Sequence, residues 1–121
     1  GAEDFGYKRR LRQGDIVIIP SPFTDRTGKK YRPAIIISNE KYNKILQDFI
    51  CVPLSSKTRF YNHIFRLYIE DIESGNLYEQ SDIRVDKIIS MNQQLILKRV
   101  GHVKFYIITK IKKILEELIK W

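Results

Sequence analysis

The sequence is short of the residues that build metal centres, disulfides and membrane spans. Its 121 residues include one cysteine, Cys51, and two histidines, His63 and His102. One cysteine forbids an intramolecular disulfide and a C-x-x-C zinc site. Two histidines leave too few nitrogen ligands for a metal centre, so no metal and no cofactor is expected. No apolar run approaches the ~20 residues of a membrane-spanning helix. The N-terminal stretch is basic and lacks an apolar h-region, so no signal peptide is read there and a cytoplasmic protein is expected. Gly1 stands where a Met is expected, which reads as an expression remnant extending at most to Ala2. No repeat, low-complexity tract or linker divides the chain.

What is present is an ordinary globular composition, 43% hydrophobic and 30% charged. That composition argues against disorder, and the length suits one domain with a real core. Acidic residues are the minority: 22 Lys and Arg face 14 Asp and Glu, for a net charge of +8. A small basic domain points to a polyanionic partner, most often nucleic acid. A solvated lysine surface is the plainer alternative.

The chain divides into a basic N-terminal arm, residues 1–13, and a single domain, residues 14–121. Asp15 to Ile19 is rich in β-branched residues and reads as a strand ending at Pro20. Ser21 to Tyr31 holds Pro22, Asp25, Gly28 and three cations, and reads as a basic loop. Pro33 to Ser38 is apolar on both faces, as expected of a central strand. Phe49 to Leu54 reads as another, ending near Pro53 where a ladder hydrogen bond is lost. Ile64 to Ile69 reads as a strand followed by a turn at Glu73-Ser74-Gly75-Asn76. From Ser81 to Lys87, polar and apolar residues alternate. That period buries Ile83 and Val85 and sets Arg84 and Asp86 on the opposite face. Val103, Ile107, Ile111, Ile114 and Leu118 recur at helical spacing, with Gly101 before the start. Short strands followed by one terminal helix predict a mainly β, α+β domain, a barrel plus helix, and not alternating βαβ units.

Three blocks then carry a resemblance. Gly14-Asp15-Ile16-Val17, a loop, and Tyr31-Arg32-Pro33-Ala34-Ile35-Ile36-Ile37-Ser38 are similar to the opening of the MazF/PemK toxin family. Val52-Pro53-Leu54-Ser55-Ser56 resembles that family's short apolar strand ending in Thr or Ser. Ser81 to Ile88, with Arg84 and Asp86, resembles a third family block. The ordered set covers most of residues 14–119. The resemblance implies an SH3-like antiparallel β-barrel with a C-terminal helix, usually a homodimer. It also implies the toxin of a toxin–antitoxin system, a metal-independent endoribonuclease that cuts single-stranded RNA at short sequences. Its cognate antitoxin would cover the RNA groove with an acidic segment.

Metal-free RNA cleavage uses the substrate's own 2′-hydroxyl as nucleophile. The protein must move two protons and stabilise charge building on phosphorus. The resemblance places Arg32 as phosphate ligand and possible proton carrier, a role suited to a guanidinium fork. It places Ser55 at the family's Thr or Ser, with Ser56 a close second. Arg84 and Asp86 match an Arg-x-Asp pair of some PemK-type members, as base or orienter. Some relatives carry a His in the loop before Arg-Pro; here that place falls near Arg26 and Thr27. His63 could substitute, because imidazole titrates near neutral pH.

Arg26, Lys29, Lys30, Lys57 and Arg59 fall in the two loops that would flank such a site, interleaved with Tyr31, Phe60 and Tyr61. Cations tracking phosphates and aromatics stacking bases suit single-stranded RNA. Two other readings stay open. One is a gyrase-poison-like toxin of the same barrel that binds protein. The other is an RNA-binding barrel without efficient chemistry.

Overall fold

Two β-branched segments begin the sheet. In this computed structural model, which describes residues 10–22, 30–56, 61–77 and 79–121, β1 (Asp15–Pro20) and β2 (Tyr31–Ile36) pair antiparallel with Ile16 opposite Ile35. The described elements that follow are α1 (Glu40–Leu46), β3 (Asp48–Ser55), β4 (Ile64–Leu67), β5 (Ile72–Gly75), β6 (Ser81–Arg84), β7 (Ile89–Asn92), β8 (Lys98–Val103) and α2 (Phe105–Ile119). Short 3₁₀ turns lie at Ile69–Asp71 and Gln93–Leu95. The sheet runs β4-β6-β3-β2-β1-β8-β5, with β7 also on β3, and every pair is antiparallel. It curls into a half-barrel with, among the described residues, two helices, the second C-terminal, as the α+β barrel-plus-helix expectation required.

The central strands are apolar on both faces because the sheet is covered on both. Ile16, Ile35, Val52, Leu54, Ile83 and Val85 form one core with Ile107, Ile108 and Ile111 of α2. Val17, Ile19, Ala34, Ile36, Phe49 and Cys51 form the other, closed by Leu11, Ile89 and Ile96. Leu11, the apolar residue of the basic segment, is therefore a core residue. Burial pushes the Cys51 thiol up to about 12, which leaves it an inert packing residue.

Several boundaries differ from the sequence patterns. β3 does not end at Pro53 but runs on to Ser55. On one edge it pairs with β7 up to Cys51–Ile89 and with β6 from Leu54–Ile83. Pro53 falls in the gap between the two partners, where an N–H is not needed. Glu73 to Gly75 is not a turn but part of strand β5, held on β8. Val103 and Gly101 belong to β8, and α2 begins only at Phe105. A Val at helical spacing also suits a strand, and pairing with β1 and β5 decides it. The turn at Val85 and Asp86 ends the alternating strand at Arg84. The sequence patterns assign no element to residues 39–48. There α1 forms on an Asn39 cap, whose side chain accepts from Tyr42 N at 2.9 Å.

One buried acid ties the first strand to the last. Asp15 is fully buried. It receives Arg12 N at 2.8 Å and His102 Nδ1 at 2.8 Å, with Arg99 Nη1 at 3.7 Å. These partners offset the cost of taking its charge out of water. The His102 ring in turn fills the space over Gly14, whose φ is +98°.

Glycine substitutions test this packing. At Gly75 (φ +84°) a Cβ would lie 2.0 Å from the Val100 carbonyl oxygen, a fixed backbone atom. At Gly14 it would lie 3.0 Å from His102 Cε1. Gly14→Ala is expected to lose about 1–3 kcal/mol, the cost of a strained left-handed residue. Gly75→Ala is expected to lose more, because strand β8 must move. Urea unfolding of both variants measures the order; equal losses would contradict it.

Candidate functional site

Register assembles the candidate residues. The β2–β3 ladder ends at Ala34–Pro53, and the strand period of two sets Arg32 and Ser55, each two residues beyond that pair, on the same face. Ser55 pairs with Asp82 on β6, and Asp82 pairs with Arg66 on β4. Residues opposite one another share a face, so Ser55, Asp82 and Arg66 form one row across three strands, and Arg32 lies on the same face at the start of β2. Arg84, two residues beyond Asp82, is on the same face and is a diagonal neighbour of Ser55, about 7–8 Å away in such ladders.

At the end of β6, Arg84 grips Asp86 in a fork: Nε donates to Oδ1 at 3.1 Å and Nη2 to Oδ2 at 2.9 Å. His63 Nε2 lies 3.6 Å from the same Oδ2, within ion-pair reach but beyond a hydrogen bond. The backbone fixes this approach, because Val85 N donates to His63 O at 3.3 Å. Tyr61 stacks on His63 with ring centroids 5.4 Å apart. His63, Arg84 and Asp86 are therefore one cluster, although His63 is 21 residues before Arg84 in the chain. All three are partly shielded, their side chains 23–30% exposed.

Partial burial pushes the Asp86 carboxyl up. The Arg84 hydrogen bonds, with the charges of Arg84 and His63, outweigh that and hold it below the usual carboxylate range. A carboxylate lowered in this way is a weak base at neutral pH. Its suited task is to fix Arg84 and His63.

On the other side of the row a pocket of about 250 Å³ opens at the mouth of the barrel. Tyr31 and Arg32 line it with Ser56, Ser81 and Lys98. Arg32 thus borders both the row and the pocket. Ser55 belongs to the row, and Ser56, of opposite pleat phase, to the pocket. Tyr31 is half exposed. Lys30 is exposed at the neck of its loop, where Ser21 N donates to Lys30 O at 2.8 Å. Arg26, Lys29, Lys57, Arg59 and Phe60 lie outside the described residues.

Three charged residues of this region escape the sequence reading. Lys98 reaches the pocket from β8, a strand the helical pattern obscured. Arg66 donates Nε to Asp82 Oδ1 at 2.6 Å and Nη1 to Gln80 Oε1 at 2.9 Å. The alternation at 81–87 already placed Asp82 on the face of Arg84 and Asp86. Only the pairing of β4 with β6 reveals Arg66 as its partner. Among the described residues no cluster of three or more His, Cys, Asp or Glu could hold a metal ion. None of the described helices is long and apolar enough to cross a membrane.

A curled antiparallel half-barrel with a terminal helix is the fold of the solved MazF structures. The model of the PemK-like, MazF-like toxins of type II toxin–antitoxin systems matches residues 12–119, and the chain belongs to that family. Its fold is that of MazF from Deinococcus radiodurans (TM-score 0.72, 16% identity, 91% of this chain and 96% of that one). An endoribonuclease from a mycobacterial species, in complex with its cognate antitoxin, is similar too (TM-score 0.69, 17% identity, 94% and 99%). So is the Mycobacterium tuberculosis toxin MazF-mt6 (TM-score 0.69, 15% identity, 88% and 99%). None of the curated proteins matches the sequence.

The Asp86 cluster has a pH signature. A carboxyl lowered on folding adds stability above its unfolded value, and that stability is lost as pH falls through the lower folded value. Asp86→Asn is therefore expected to melt below the wild type at neutral pH. The gap should close in acid, below the ordinary carboxylate range. Thermal melts across pH check this; a gap that persists in strong acid would assign the loss to packing.

Proposed function

We propose that the chain is an endoribonuclease toxin that cuts single-stranded RNA at short sequence motifs without a metal, in the cytoplasm. The observation that carries this reading is the shared face of Arg32, Ser55 and Arg84, with Asp86 and His63 at its edge. Relatives of the same fold include an endoribonuclease bound to its cognate antitoxin. By that likeness this chain is held inactive by a cognate antitoxin, and the family resemblance adds that it acts as a homodimer and that the antitoxin carries an acidic segment, a charge suited to a +8 surface.

In the proposed reaction the RNA 2′-oxygen attacks the adjacent phosphorus. The O2′–P bond forms as the P–O5′ bond breaks, leaving a 2′,3′-cyclic phosphate and a 5′-hydroxyl. Arg32 grips the phosphate oxygens, and its charge offsets the charge that builds there. Ser55 donates a hydrogen bond to the same group, with Ser56 donating from the pocket side. His63 takes the proton of the attacking 2′-hydroxyl and returns it to the departing 5′-oxygen, with Asp86 its orienter and Arg84 a second cation facing the phosphate. Tyr31 and Tyr61 offer stacking surfaces for bases, and Lys30, with the loop cations Arg26, Lys29, Lys57 and Arg59, tracks the strand.

Incubating a long single-stranded RNA with the protein in EDTA tests this. Discrete fragments ending in cyclic phosphate are expected from wild type. Arg32→Ala is expected to cut about 10²–10³-fold more slowly, as for loss of a preorganised donor. His63→Ala is expected to lose about 10²–10⁴-fold, and Ser55→Ala less. Undiminished cleavage by all three, each folded by circular dichroism, would place the chemistry elsewhere. RNA binding without cleavage by wild type would favour a non-catalytic barrel. Neither binding nor cleavage would favour a protein target.

A further inference from the structure

The C-terminal helix carries two stripes with different tasks. Ile107, Ile108 and Ile111 are buried in the barrel core. Lys110, Lys113, Ile114, Glu117 and Leu118 follow one another at i, i+3, i+4, i+7 and i+8, which is a single edge of a helix. That edge faces Asn62 and His63 across a groove of about 480 Å³. Ile114 is half-buried and forms an apolar floor. Lys110 is held against the β4 side, its Nζ 4.4 Å from the centre of the Phe65 ring. Lys113 is exposed. The one acid in the groove, Glu117, is paired with Lys120 at 2.8 Å, so the edge is cationic on balance.

We propose that this groove is an extension of the RNA path, taking the nucleotides that flank the cut site. This rests on the endoribonuclease reading above and adds a surface to it. Two observations commit the groove to RNA. The first is continuity: His63 belongs both to the groove and to the Arg84–Asp86 cluster. A strand leaving that cluster past the Tyr61–His63 stack therefore enters the groove directly. The second is composition. Two lysines reach for phosphates, an Asn amide can read a base edge, and an apolar floor accepts a base face. The helix thus contributes to substrate length preference, although nothing on it touches the reacting atoms.

The test uses single-stranded RNA pools of random sequence, short and long, with the 2′-hydroxyl blocked by methylation so that nothing is cut. Affinity is read by fluorescence anisotropy over a range of salt. The groove variant Lys110→Gln/Lys113→Gln is compared with Lys44→Gln/Lys112→Gln, which removes the same charge from exposed positions outside the groove. The groove variant is expected to lose about tenfold on the long pool and little on the short one. Its log–log salt slope should fall by about 1.4, roughly 0.7 for each phosphate contact to a single strand. The outside variant should weaken both pools alike and slightly. Equal losses for the two variants, or the same loss on both pools, would overturn the groove while leaving the endoribonuclease reading standing. A groove variant that keeps RNA affinity but loses binding to an acidic amphipathic peptide would overturn it in favour of a protein partner. A wild-type protein that binds neither pool would overturn both readings together.

Discussion

Strand β3 serves three neighbours, and most of the architecture depends on how it divides them. One edge belongs to β2. The other belongs to β7 over Asp48–Cys51 and then to β6 at Leu54 and Ser55. The edge passes from β7 to β6 between Cys51 and Leu54, and the curled half-barrel is built around this change of partner. Pro53 sits at the junction, where a residue without an N–H costs no ladder bond. The same junction brings β6, and with it Asp82 and Arg84, alongside Ser55. Fold and candidate site are two consequences of one strand changing partner.

Two kinds of electrostatics are then built on this frame. Asp15 is a fully buried charge whose partners come from the segment before β1 and from β8, so it fastens the two ends of the domain. Asp86 is a partly shielded charge that fixes its partners Arg84 and His63 in place. The first kind serves stability, since removing a partner strands a charge in the core. The second is placed where a polyanion can reach it, beside an excess of cations. The net charge of +8 favours the same class of partner.

Much of this was legible in the chain. The β-branched runs at Ile16–Ile19 and Ala34–Ile36 identify central strands because both faces carry large apolar side chains. The alternation at Ser81–Val85 places Arg84 and Asp86 on one face because a strand has a period of two. The stripe from Ile107 to Leu115 identifies the helix. Misreadings cluster where local pattern is ambiguous. Val103 fits a helical stripe and a strand equally well. Glu73-Ser74-Gly75 has turn chemistry, yet it lies in a strand because β8 offers it a ladder. Residues 39–48 mix polar and apolar positions too briefly for a period to emerge, and the Asn39 cap decides for a helix.

The sequence alone determined which residues could do the work. A guanidinium before a buried strand, hydroxyls at a strand end, two imidazoles and an excess of positive charge are chemical facts of the chain. Their spacing along the chain does not say which of them meet. The register of β2 and β3 puts Arg32 and Ser55 on one face, and His63 reaches Asp86 because β4 pairs with β6. Arg66 finds Asp82 through that same pairing, and Lys110 and Lys113 face His63 because the helix buries its other edge. Each is a long-range contact fixed by strand pairing or core packing, which local periodicity does not encode and only the tertiary structure decided.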